Sequence, residues 1–372
     1  MFRVSTNMAA DNLSAITGRT MQKMVEKQNT AATGVKHRVP RQGPVEVGQS
    51  IAYKRVIHEL GQYERNIENG RSRIDVAETA LGSATEILQR VRELGAQGAN
   101  GVYTAGDRAA MAAEIDQLLR ELVAVANTTY KGRAVFAGND TLENPFRIEE
   151  SFSPEAGKQV VQAVRYYGDM GLQNREIARG DVLAVNVPGN QAFWAESSTL
   201  FSSVDATDYV LPVDARVRIN GHVVEFKAGD NIEMIVNRIN NAPVPVRASV
   251  NRMNGGIILE TSSARDLWIE DIQGGTLMQD LGVISGANPP RNLDPAARFF
   301  GGTVFDMVIR LRDSLYADDA QDVGSLGIGG VDQALDNIIK NRSDLGARAS
   351  RMDLVLGRVR EQKANMQDIL SR

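Results

Sequence analysis

Three histidines, His37, His58 and His222, are the first side chains to weigh for acid–base or metal chemistry. They are scattered, with none of the short spacings that bring two imidazoles to one metal ion, and they read as structural or exposed. There is no cysteine, so disulfides and thiolate metal sites are excluded. No Gly-x-Ser-x-Gly elbow presents a serine nucleophile. The Gly157-Lys158 pair is followed by Gln159 and lacks the flanking pattern of a phosphate-cradling loop. Gly327-Ile328-Gly329-Gly330 follows no clear strand and reads as a hinge before the last helix. Asp318, Asp319 and Asp322 form the densest acidic cluster, but Ala320 sits at the second ligand position of a calcium loop. A solvated loop is the expected state. No residue set points to catalysis, and no cofactor or metal is expected.

The elements that would have to position such residues are more informative than the residues. Apolar or small side chains recur at three- and four-residue steps as Tyr53, Val56, Leu60, Tyr63, Ile67, Gly70, Ile74, Ala77, Leu81, Ala84, Leu88 and Val91. The pattern returns as Val331, Leu335, Ile338, Arg342, Leu345, Ala349, Met352, Leu356, Val359, Lys363, Met366 and Leu370. A repeat sustained this long predicts helices packed side by side. Its two halves lie at opposite ends of the chain, so the middle must be an insert. Arg342 and Lys363 interrupt the second seam, as snorkelling or register-setting polar positions do.

A first helix is expected over Ala9–Thr33, with a thin stripe of Leu13, Ile16, Met24 and Ala31 interrupted by Thr20 and Lys27. Asn7 or Asp11 could cap it and Gly34 could end it. The linker Val39-Pro40-Arg41-Gln42-Gly43-Pro44 precedes a long helix over Val47–Gly98. Asp107 is read as the cap of a third helix with seam Met111, Ile115, Leu118, Leu122, Val125 and Thr129.

Between Phe146 and Arg298 the helical period fades. A strand is expected over Val182–Val187, and Asn220-Gly221 marks a two-residue hairpin. Asp230 with Glu233 resembles a capping box for a helix carrying Ile232, Ile235, Val236 and Ile239. A second hairpin joins Val246, Ala248 and Val250 to Ile257 and Leu259, giving a ββαββ unit. Ala287-Asn288-Pro289-Pro290 leads back to a helix over Thr303–Leu315. The expected fold is therefore α+β: an elongated antiparallel helical coiled-coil rod from both chain ends, carrying a β-rich insert. Its parts are an arm over 1–41, a rod over 42–145 and 300–372, and the insert over 146–299.

The 372 residues carry a net charge of −4 with signs interleaved, so no basic field for nucleic acid is present. No apolar run is long enough to span a bilayer. The start, Met1-Phe2-Arg3-Val4-Ser5-Thr6-Asn7, lacks the apolar core of a secretory signal, so export is expected by another route.

Particular residues carry a resemblance. Asn66-Ile67 through Leu94-Gly95-Ala96-Gln97-Gly98-Ala99-Asn100-Gly101 resembles the long helix and following turn of the flagellin family. Asp116-Gln117-Leu118-Leu119, Ala126-Asn127-Thr128 and Gly132-Arg133-Ala134-Val135-Phe136-Ala137-Gly138 look like its hook-associated protein 3 type. So do Arg3-Val4-Ser5-Thr6 and Leu345-Gly346-Ala347-Arg348-Ala349-Ser350-Arg351-Met352. Arg238-Ile239-Asn240-Asn241 is similar to a small module found in flagellins and hook-associated proteins.

The resemblance implies a structural, non-enzymatic adapter between hook and filament, exported unfolded through the flagellar type III channel. Its implied partners are hook-associated protein 1, flagellin, copies of itself in a ring and an export chaperone. Its implied location is the flagellum, extracellular or periplasmic. Leu13, Ile16, Met24, Leu345, Met352, Leu356 and Val359 are the expected assembly contacts. The sequence departs from the family at Arg38–Pro44, where an Asp-rich turn is usual. It also departs at Ile369-Leu370-Ser371-Arg372, beyond which a further helical segment is usual, so Ala9–Thr33 is expected to lack its partner. Filament flagellin is the nearest alternative. A coiled-coil ATPase with an inserted hinge would need a phosphate loop that residues 1–50 do not contain. A coiled-coil receptor would need a membrane span.

Overall fold

The computed structural model describes residues 6–33, 44–285, 289 and 292–371. Expectations for Arg3–Ser5, Gly34, His37, the 39–43 linker and the 287–290 linker, Pro289 apart, fall outside them. The helices are α1 (Thr6–Thr33), α2 (Pro44–Gly98), α3 (Ala105–Ala126), the short α4 (Gly189–Ala192), α5 (Ile232–Asn241), the short α6 (Leu277–Asp280), α7 (Val304–Tyr316), the short α8 (Ala320–Asp322) and α9 (Ile328–Ser371). The chain is mixed α+β, with long helices from both ends and a β-rich middle. Its contacts divide it into two units, residues 1–65 with 356–372, and residues 66–355.

In the larger unit the first repeat is a buried seam: Ile67, Ile74, Ala77, Leu81, Ala84, Leu88 and Val91 are all enclosed. Facing them from α9 are Val331, Leu335, Ile338, Leu345, Ala349 and Met352. Gly70 is small because it must be. A Cβ there would lie 2.8 Å from Val185 Cγ1 and 3.1 Å from Met352 Cε. In the smaller unit Leu60, Tyr63 and Val359 are buried. Glu64 there accepts from Lys363 Nζ at 2.7 Å and Arg360 Nε at 2.9 Å. Both cations hold its carboxyl below the usual range, Lys363 most.

Several local expectations shift. The α1 helix already includes Thr6, so Asn7 and Asp11 lie inside it rather than capping it. Thr104, not Asp107, is the N-cap of α3, and Asp107 completes the capping box from the third helical position. The buried line of α3 is Ala112, Ile115, Leu119, Leu122 and Ala126, while Met111, Leu118 and Val125 are half-buried. Arg342 is exposed, and its neighbour Asn341 takes the enclosed position. The reason is a second set of partners. Asn341 receives a bond from Gln191 Nε2 at 3.2 Å, and Asn337 donates to Gln191 O and Trp194 O at 3.0 and 2.5 Å. A helix seated on the short α4 and the chain just after it needs amide groups there to satisfy carbonyls that have no partner within their own element.

Gly327-Ile328-Gly329-Gly330 is a packing point rather than a hinge. A π turn over Val323–Gly327 runs directly into α9. A Cβ on Gly330 would meet Met307 Sδ at 2.6 Å, and one on Gly327 would meet Leu311 Cδ1 at 2.8 Å. These glycines let α7 approach closely.

The first strands are the two-residue pair β1 (Thr129–Tyr130) and β2 (Arg133–Ala134), then β3 (Phe146–Ser153) with β4 (Lys158–Tyr166), and β5 (Asn174–Ala178) with β6 (Asp181–Ala184). The strand expected to reach Val187 ends at Ala184, and Val185 and Val187 are buried in irregular chain. Gly157-Lys158 lies at the β3–β4 turn, where Gly157 has φ +63°. Phe146, Phe193 and Phe305 meet with ring centroids 5.1–5.6 Å apart, seating this region on α7. Beneath them Arg312 of α7, 1% exposed, donates to Asp116 Oδ1 of α3 and to Val161 O of β4, each at 2.7 Å.

The remaining strands are β7 (Ser197–Phe201), β8 (Ala215–Ile219), β9 (His222–Phe226), β10 (Val246–Val250), β11 (Ile257–Ala264), β12 (Ile269–Ile272) and β13 (Arg298–Phe300). They form two antiparallel sheets, ordered β10-β11-β7-β13 and β12-β8-β9. The expected β8-β9-α5-β10-β11 order is present, but its two hairpins lie in different sheets. Alternation explains the faces: Val217 and Ile219 point inward while Arg216 is exposed. Together with Phe226, Ile235, Ile239, Leu259 and Met278 they enclose one core.

Asn231, one residue after the expected Asp230, caps α5 by accepting from Met234 N at 2.9 Å. Asp230 instead accepts from Arg238 Nε at 2.5 Å and Nη2 at 3.0 Å. Asn240 locks α5 to β10, donating to Ala248 O and accepting from Ala248 N at 2.9 and 2.8 Å.

The Asn220-Gly221 turn joins Ile219 to His222 with positive φ at both residues, +45° and +87°. Gly221→Val should therefore destabilise the β-rich module by about 1–2 kcal/mol, the strain of a side chain in left-handed backbone. Near-ultraviolet melting, reporting Trp268 packing, should shift down while the far-ultraviolet helical signal holds. Loss of both together would show that the module does not melt by itself.

Asp266 lies where this module meets the segment before it: its N–H donates to Asn190 O at 3.0 Å. Among the described residues its carboxylate accepts from the adjacent Leu267 N alone, at 2.9 Å, and burial pushes its carboxyl up to about 7. A carboxyl raised on folding makes the native state hold a proton that the unfolded chain has lost. Its penalty is absent below about pH 4, grows through the window up to about 7, and is complete above it. Asp266→Asn should thus leave stability unchanged at pH 4 and raise it at pH 8. A gain equal at both pH values in urea melts would contradict this.

Candidate assembly site

The α1 helix presents Leu13, Ile16, Met21 and Met24 to solvent, at 67%, 58%, 68% and 65% exposure. At i, i+3, i+8 and i+11 they lie along one side of the helix. Thr17 and Thr20 share that side, and their hydroxyls donate to Leu13 O and Ile16 O at 2.7 and 2.8 Å. The hydroxyls on this face are therefore already satisfied, so covering it leaves neither stranded. Burial of one such apolar side chain contributes roughly 1.5–3 kcal/mol. An amphipathic helix of this kind is marginal alone and is stabilised by a partner helix. Sequence reasoning found Leu13, Ile16 and Met24; it missed Met21, which continues the same face.

The α9 residues expected as assembly contacts are placed differently. Leu345 and Met352 are fully enclosed and Val359 nearly so, while Leu356 is half-buried. The first three build the chain's own core, so their apolar area is already used and cannot serve a second subunit. The seam pattern could not separate these outcomes, because intramolecular and intermolecular helix packing impose the same spacing. What α9 offers outward is one face over residues 343–354, with Ser343, Ala347 and Ser350 exposed and Leu354 75% exposed. A signal existed: Leu354 is a large apolar residue out of phase with the seam.

The groups that could do chemistry have structural partners. Asp319 Oδ1 accepts from Gln321 N at 3.1 Å and Asp322 N at 3.0 Å, capping α8. Asp318 pairs with Arg108, and Asp322 with the Ser314 hydroxyl. His58 and His222 are exposed. Among the described residues no group of three or more His, Cys, Asp or Glu could hold a metal ion, and no helix is long and apolar enough to cross a membrane.

Residues 4–141 match the family profile described as the bacterial flagellin N-terminal helical region. Flagellin C of Vibrio cholerae is 29% identical over 298 residues, covering 79% of this chain and 68% of that protein. A flagellar filament 30.7 kDa core protein of Treponema maltophilum is 32% identical over 188 residues, 48% of this chain and 62% of that one. Among solved structures, a putative flagellar hook-associated protein from Vibrio parahaemolyticus superposes with TM-score 0.51 at 15% identity, covering 89% of this chain and 99% of that one. FlgL of Xanthomonas campestris gives 0.50 at 17% identity, over 86% and 99%. These structures share the fold.

Proposed function

We propose, for a chain whose residues 4–141 are of the bacterial flagellin N-terminal type, that it is a structural subunit of the bacterial flagellum, the adapter between hook and filament. One observation carries the reading: a flagellin-type helical region occurs in a fold that spans 99% of a putative hook-associated protein. In this reading the chain is exported to the flagellum and does no catalysis. It packs against hook-associated protein 1 on one side and flagellin on the other, forms a ring with its own copies, and travels with an export chaperone. Residues 1–41 act as the assembly arm, 42–145 and 300–372 as the lattice-forming helices, and 146–299 as the outward insert. The exposed α1 face, with Leu13, Ile16 and Met24, is the surface that suits it to this work. Filament flagellin is the second reading, favoured by the identity to Flagellin C.

Immunogold labelling of isolated flagella separates the two. A single band at the hook end is expected, and label along the whole filament would establish the second reading. Leu13→Asp with Met24→Asp should abolish incorporation into flagella, because two charges would be desolvated on the mating face. The purified monomer should keep its melting temperature within about 2 °C, since both side chains are exposed. Normal incorporation of the doubly substituted protein would remove α1 from the assembly surface.

A further inference from the structure

Beside α2 the structure gathers the cations Arg73, Lys131, Arg133 and Arg175, for which no ion pair is found among the described residues. Arg73, 8% exposed, donates from Nη2 to Ala134 O and Val135 O at 3.0 and 3.3 Å, which sets it against β2 and the adjoining Arg133. Its Nε is buried without a partner. On the other side, Asn66 Nδ2 donates to Glu176 O at 3.0 Å, and Gln173 Nε2 donates to Gly138 O at 2.6 Å. The first bond holds β5 against α2 at Asn66, and the second ties the chain before β5 to the segment that follows β2, which brings Arg175 within reach of the Arg73 charge. Lys131 reaches Asn69 Oδ1 at 3.4 Å, a neutral acceptor. Arg133 makes one bond, to Thr141 Oγ1 at 3.3 Å, and the exposed Arg175 guanidinium makes none among the described residues. Glu176 is the nearest acid in sequence, and its Oε1 accepts from Gly180 N at 3.1 Å.

Other arginines on the helical surface are paired with acids. Arg90 is paired with Glu114, Arg92 with Asp332, Arg120 with Glu150 and Arg351 with Asp181. At Arg73 burial lowers the guanidinium from its ordinary range, and the charges of Arg175 and Arg133 lower it further. Among the described residues no carboxylate is one of the charges that shift Arg73. Placing like charges around a desolvated guanidinium is unfavourable unless an anion joins them.

We propose that Arg73, Arg133 and Arg175, with Lys131 at the rim, form a binding site for an oxyanion. Guanidinium groups suit carboxylate and phosphate alike, through forked hydrogen bonds. Two sources share that chemistry: free phosphate, and a carboxylate of a second copy of this chain. The chain itself carries a complementary surface. Asp306, Asp313, Asp319 and Asp322 line one groove of α7–α8 with Arg310 as its only basic side chain. A basic cluster meeting an acidic groove elsewhere on the next copy is a head-to-tail contact, the kind that builds rings and helical lattices. This second source rests on the assembly reading above; the first does not.

The test uses the full chain, wild type and with Arg133→Gln/Arg175→Gln, which removes two exposed side chains and spares Arg73. Thermal melts with sodium phosphate against sodium chloride at equal ionic strength read the first source. Saturable stabilisation is expected, weakened at least tenfold in the variant. Sedimentation velocity over rising concentration, with and without phosphate, reads the second. Self-association that phosphate competes away and the variant weakens at least tenfold assigns the site to a second copy. Phosphate protection with unchanged association assigns it to the free ion. No specific phosphate effect, with association identical in both proteins, overturns the site whatever the chain's place in the flagellum.

Discussion

Asp116→Ala should lower the stability of the helical part by about 3–5 kcal/mol, the cost of leaving a buried charge without its partner. Arg312 is the largest fully buried side chain described, and Asp116 is 4% exposed. Asp116 Oδ1 also accepts from Val161 N at 3.2 Å, and Oδ2 from Arg120 Nε at 3.3 Å. One carboxylate therefore joins α3, α7 and β4. Its removal leaves the Arg312 guanidinium with Val161 O and, as its remaining carboxylate among the described residues, Asp313, whose side chain is 54% exposed and whose pairing is screened by water. Asp313→Ala should cost under about 1 kcal/mol for that reason. Replacing both members of the buried pair, Asp116→Leu with Arg312→Met, should recover most of the loss, because two desolvation penalties vanish together. The midpoint of urea unfolding followed at 222 nm checks all three. Equal losses from Asp116→Ala and Asp313→Ala would show that the buried pair has no special weight.

Leu81→Ala and Leu345→Ala should each cost about 2–5 kcal/mol. Both side chains are fully enclosed, one on α2 and one on α9. A helix seam collapses poorly around a lost isobutyl group, because backbone hydrogen bonding fixes the axes, so the cavity persists and adds to the lost transfer energy. Glu86→Gln, on the exposed side of α2, should stay within about 0.5 kcal/mol. Parallel urea titrations give the comparison. If Glu86→Gln matched the leucine substitutions, the burial phase of α2 would be wrong. Leu345→Ala carries a second consequence: because Leu345 serves the chain's own core, its loss should appear in the isolated monomer, whereas Leu13→Asp should appear only on assembly.

Much of the helical frame was legible because its signals are local and repeated. From Ile67 to Val91 every seam residue named from spacing is small or buried, and a single phase error would have exposed the whole set. The Asn220-Gly221 turn was legible for a similar reason, since few residue pairs accept positive φ twice. Errors arose where another partner competes for the position that a local pattern singles out. Asp230 looks like a cap, but Arg238 engages its carboxylate and Asn231 takes the capping role. Arg342 falls on the seven-residue repeat, yet Gln191 draws Asn341 inward instead. Of the candidate assembly residues, Leu13, Ile16 and Met24 were readable as an uncovered stripe; Leu345, Met352 and Val359 were readable only as apolar.

By itself the sequence determined the periodic helices at both ends, the turn chemistry of the middle and the absence of thiol chemistry. Each depends on side-chain type at short separation along one chain. Tertiary structure alone decided which apolar faces are spent internally and which remain open. It alone made Arg312 a buried clasp and gathered Arg73, Arg133 and Arg175 beside one helix. Burial and charge pairing depend on residues brought together across tens to hundreds of positions, and no local spacing encodes which distant group will arrive to desolvate or neutralise a side chain.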